Sequence, residues 1–96
     1  MTPTAFKRSL TKDQPPGDEG SVLAALWWIK KGDWERAHTI IMNSDGRDAA
    51  WVHAHLHRIE GDQPNAQYWY RQAHKPAATG AIDAEWEAIV ASLLAA

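Results

Sequence analysis

Three imidazoles alternate along one short stretch of this chain, at His53, His55 and His57, and a carboxylate follows at Glu60. On a helix, His53, His57 and Glu60 fall at i, i+4 and i+7 and share a face. Two histidines at that spacing can ligate one metal ion, and a carboxylate can complete the set. The same face has a plainer use. Turned toward the next helix, it would meet Trp69 and Tyr70, and a hydrogen bond between His57 and Tyr70 would make it a polar core. The expectation adopted is the metal-free polar core, with no cofactor. A metal- or ligand-binding face on His53, His57 and Glu60 is the alternative.

Catalytic chemistry finds little to stand on. The chain has no cysteine, which excludes a thiol nucleophile, disulfides and thiolate zinc sites. Ser9, Ser21, Ser44 and Ser92 lack a Gly-x-Ser-x-Gly setting, and no Gly-rich phosphate loop occurs. The protein is therefore expected not to be an enzyme.

The elements that position these residues are announced by a repeated phrase. Gly32-Asp33-Trp34-Glu35-Arg36-Ala37 returns as Gly61-Asp62-Gln63-Pro64-Asn65-Ala66, a period of 29 residues. Gly supplies the positive φ that ends one helix, Asp caps the next, and Ala lets two helix backbones approach. Apolar spacing predicts helices from about Asp18 to Lys31, Asp33 to Asn43, Arg47 to Glu60, Asp62 to His74 and Ile82 to Ala95. The last carries a clean stripe of Ile82, Trp86, Ile89, Val90 and Leu93, with Asp83, Glu85 and Glu87 early, where the helix dipole favours acid. Residues 1–17, with Pro3, Pro15, Pro16 and Gly17, read as a flexible arm. Phe6 and Leu10, four apart, offer the competing reading of a short docked turn. Residues 18–96 make a single helical-repeat domain.

Both hairpins resemble tetratricopeptide repeats. In the second, Ala54, Gly61-Asp62, Ala66, Tyr70, Ala73 and Pro76 follow that family's order. In the first, Ala25, Trp28, Gly32-Asp33-Trp34 and Ala37 match, with Ile41 in place of the later aromatic. The period is shorter than the family's, and two repeats are fewer than an array usually needs. The run from Trp51 to Ala73 also looks like a segment of small bacterial proteins, a likeness that implies no activity. The resemblance implies an all-α fold of two stacked antiparallel hairpins with a C-terminal capping helix. It also implies a concave groove lined by Val22, Leu26, Ile29 and Lys30 from the first repeat and by Trp51, His55 and Arg58 from the second. Apolar at one end and aromatic-cationic at the other, such a groove suits an acidic peptide or a C-terminal carboxylate.

Bulk properties fit a non-catalytic module that binds a protein or peptide, or itself. The formal net charge is −2, which argues against a nucleic-acid partner. No apolar run reaches membrane-spanning length, and Met1–Gly20 lacks the apolar core of a signal peptide, so the expected location is cytoplasmic with no membrane partner. Six tryptophans and only two repeats leave apolar faces on the first and last helices. Those faces predict a homodimer, unless Phe6 and Leu10 fold back and cover them.

Overall fold

Each Gly-Asp corner closes one helix and opens the next. In the computed structural model, which describes residues 1–95, the chain is all-α: α1 (Pro3–Arg8), a 3-10 turn (Ser9–Thr11), α2 (Ser21–Lys30), α3 (Trp34–Met42), α4 (Arg47–Ile59), α5 (Gln63–Ala73) and α6 (Ile82–Leu94). Among the described residues there is no strand, and no helix is long and apolar enough to cross a membrane.

Gly32 and Gly61 sit at φ +87° and +82°. There the Gly32 N–H reaches the Ile29 carbonyl and the Asp33 N–H the Trp28 carbonyl. The second corner repeats this with Gly61 to Arg58 and Asp62 to His57. These paired bonds satisfy carbonyls that a helix end leaves free. The Asp33 and Asp62 side chains then accept from the N–H groups of Arg36 and Asn65, capping α3 and α5. Ala37 and Ala66 are fully buried, as close helix contacts require. α2 packs on α3 and α4 on α5. α4 also meets α2, α3 and α6, which makes it the inner helix.

The N-terminal segment departs from the flexible arm expected of residues 1–17. Thr2 caps α1 by accepting from the Ala5 N–H, and Pro3 sits in the first turn, where its missing N–H is harmless. Phe6 is fully buried, with its ring 6.1 Å from that of Trp86. Trp27 Nε1 donates to Ser9 Oγ, and Lys31 Nζ donates to the carbonyls of Leu10 and Lys12. The prolines at 15 and 16 do interrupt the chain, but the segment before them belongs to the core. It covers part of α2 and α6, and of the apolar surface that motivated a homodimer Leu23, Trp27, Trp86, Ile89 and Val90 are buried within one chain, whereas Ile29, Leu93 and Leu94 are half-buried and Ile82 is exposed.

Candidate functional site

The groove expected between the first helices of the two repeats is filled by the chain itself. α6 lies against both α2 and α4. Leu26 and His55 are fully buried, and Val22, Ile29, Trp51 and Arg58 are half-buried. Lys30 bonds Asp83 of α6 at 3.2 Å, and Trp86 Nε1 donates to the Leu26 carbonyl at 2.8 Å. The acidic group expected of a peptide partner is supplied from within, by Glu85. His55 Nδ1 donates to Glu85 Oε1 at 2.6 Å, Arg58 donates to the same oxygen at 3.2 Å, and the Tyr70 hydroxyl donates to Oε2. Arg58 also reaches the Gly80 carbonyl. Burial opposes ionisation of Glu85, yet hydrogen bonds from His55, Tyr70 and Arg58 outweigh it and hold the carboxyl below its ordinary pKa. The Tyr70 hydroxyl is pushed up by burial and by Glu85. Leu26, His55 and Arg58 thus belong to an internal interface with α6, whose apolar stripe packs there, while Lys30 stays exposed and Trp51 lines an open cleft beside the segment that joins α5 to α6.

The opposite side of α4 carries a different arrangement. His53 and His57 face α3 as well as α5, and α3 adds His38, which lies outside the set expected from the sequence. One ligand nitrogen from each of His38, His53 and His57 lies within 4.8 Å of the others. His38 Nε2 and His53 Nε2 are 3.2 Å apart. The expected His57–Tyr70 bond does not form, since Tyr70 is held by Glu85. Instead His57 Nδ1 donates to Glu60 Oε1 at 2.5 Å. In the neutral ring this leaves Nε2 as the lone-pair nitrogen. Glu60 therefore orients an imidazole rather than joining the triad. A second cluster of His57, Glu60 and Asp62 exists, but Asp62 is engaged in capping α5.

Aromatic stacking holds the rings. His38 stacks on Trp34 at 4.6 Å and 19°, and Trp34 is itself fixed by donating Nε1 to the Leu56 carbonyl at 2.8 Å. His53 lies between Trp69, at 4.0 Å and 11°, and His57, at 4.9 Å and 23°. Such packing limits the rotamers open to each ring. Burial, with His57 next and Glu60 and Glu35 opposing, pushes His38 below the ordinary imidazole pKa. Burial, then His57 and His38, takes His53 down to about 4. Both are unprotonated near neutral pH, the form that can donate a lone pair to a metal.

The triad forms part of the lining of an open cleft of about 850 Å³ between α3 and α5, floored by α4. Ile41 and Met42 contribute to it from α3, Asp45 and Arg47 from the turn and start of α4, and Asn65, Trp69 and Gln72 from α5. The i, i+4 pair was legible in the sequence. His38 carried one signal: it stands four residues after Trp34, on the α3 face that the repeat packs against α4.

Comparison of the chain with protein-family models, with curated proteins and with solved structures finds no match.

Proposed function

We propose that this protein is a small metal-binding module, and that it holds a divalent transition-metal ion through His38, His53 and His57. The observation that carries the reading is the convergence of three imidazole nitrogens from two helices on one cleft. Two nitrogens bound tetrahedrally at about 2.0–2.1 Å are about 3.3 Å apart. The 3.2 Å between His38 and His53 already matches that edge. An imidazole-only set suits zinc, nickel, cobalt or copper and disfavours magnesium and calcium. The Glu60–His57 bond is the outer-shell partner such sites use to fix a ligand's tautomer.

The peptide-groove reading has less support. It needs Leu26, His55 and Arg58 accessible to a partner, whereas α6 covers them.

Equilibrium dialysis of tag-free protein against zinc, with metal quantified by mass spectrometry, tests the proposal. One zinc per chain is expected, lost in His38→Ala and in His53→Ala. Glu60→Gln should weaken binding by about 10–100-fold. Equal zinc retention by the triple variant lacking all three imidazoles would refute the site.

A further inference from the structure

The number of donors in the triad decides what kind of metal site it makes. Structural zinc sites are closed by four protein ligands, whereas sites that exchange ligands keep three and leave a position open. Among the described residues, the cluster holds three imidazoles, and no carboxylate lies within the same reach of all three, Glu60 and Asp62 grouping with His57 alone. Glu60 is spent on His57 Nδ1. Asp45 lines the cleft but stands outside the donor group. All three imidazoles are among the residues that line the open cleft.

Charge then selects the ligand. Three neutral imidazoles leave a divalent ion's charge uncompensated, and Glu60 offsets part of it through His57. Asp45 and Arg47, both exposed in the lining, are not paired with each other and together add no net charge. The cleft with its ion is therefore net positive and attracts an anion. Arg47, exposed at the rim, is a donor fork that fits a carboxylate. Asn65 and Gln72 add amides that can pair with a polar chain, while Ile41, Met42 and Trp69 supply apolar wall.

We propose that an ion held by His38, His53 and His57 keeps one coordination position open to this cleft, and that the ligand taken there is a carboxylate. The inference rests on the metal reading above. The step is simple ligand exchange: a coordinated water leaves, one carboxylate oxygen takes its place, and no electron or proton need move. The carboxylate belongs either to a small acid or to a peptide end, and a cleft of about 850 Å³ has room for both.

Cobalt(II) reports the test, because its visible bands change with coordination number and ligand. Full-length protein is loaded with cobalt, its stoichiometry measured, and the spectrum followed during addition of acetate, acetyl-triglycine or acetyl-triglycine amide. Acetate and the free-acid peptide are expected to change the bands saturably, and the amide is expected to do nothing. A peptide affinity well above that of acetate assigns the site to peptide ends, and equal affinities assign it to small acids. Arg47→Ala should weaken carboxylate binding by up to about fivefold while leaving cobalt stoichiometry at one, as loss of one exposed charge partner implies. Cobalt bound one per chain with bands indifferent to every carboxylate would overturn the open position and leave the metal site standing. Failure to bind cobalt would remove the site itself, and both readings with it.

Discussion

Glu85 shows how much one side chain can be asked to hold. Its carboxylate is buried on α6 and receives His55, Arg58 and Tyr70, so two elements are tied to a third through one group. Removing one partner of a buried charge pair leaves the other uncompensated. Glu85→Ala is expected to lower stability by about 3–5 kcal/mol in urea denaturation. Tyr70→Phe should lower it by about 1.5–3 kcal/mol, the worth of a hydrogen bond to a charged group. A Glu85→Ala variant as stable as the parent would contradict the tie. The pH dependence has two windows. His53 has a folded pKa of about 4 against an ordinary 6.5. The unfolded chain therefore binds more protons between these values, and the metal-free protein loses stability as pH falls from about 6.5 toward 4. Glu85 lies below its ordinary 4.5. Its contribution is complete above that value and is lost as pH falls further, through the lowered one. His53→Gln should flatten the first limb and Glu85→Gln the second, read as unfolding free energy against pH.

At the scale of elements, the corners were the most legible feature of the chain. Gly61 at φ +82° has open space where a Cβ would go, so the penalty for Gly61→Ala is conformational alone. That penalty is about 1–2 kcal/mol. Ala66→Leu meets a fully buried close contact and should be destabilising by about 1–3 kcal/mol. Thermal melts check both, and an unshifted Ala66→Leu melt would mean α4 and α5 do not cross there. The first element was less legible. Pro3 in isolation signals a break, whereas after the Thr2 cap it starts a helix. A six-residue helix has too little periodicity to declare itself, and only tertiary burial of Phe6 makes it worth forming. Phe6→Ala should therefore be destabilising by about 3–5 kcal/mol. Partners across elements were the least legible of all. Helical spacing tells which residues share a face but not which element faces them. For that reason Glu85 read as a dipole residue, His55 and Arg58 as a peptide groove, and His38 went unnoticed.

Over the whole molecule, the two sides of α4 divide the work. One side, with α2 and α6, holds the packed core in which Trp27, Trp86 and Leu26 are fully buried. The other side is an open cleft where imidazoles from α3 and α4 converge. An ion there would bridge the first repeat to the second and bind the folded chain alone. Zinc at about a hundred times its Kd should then add about 2.7 kcal/mol. For a domain of this size that raises Tm by roughly 10–20 °C, and the shift should vanish in His38→Ala. The most direct measurement is anomalous diffraction at the zinc edge from crystals of the zinc-loaded protein. The account predicts one strong peak within coordination distance of His38, His53 and His57, with Glu60 still on His57 Nδ1. Zinc peaks confined to other residues, with the triad unliganded, would contradict it.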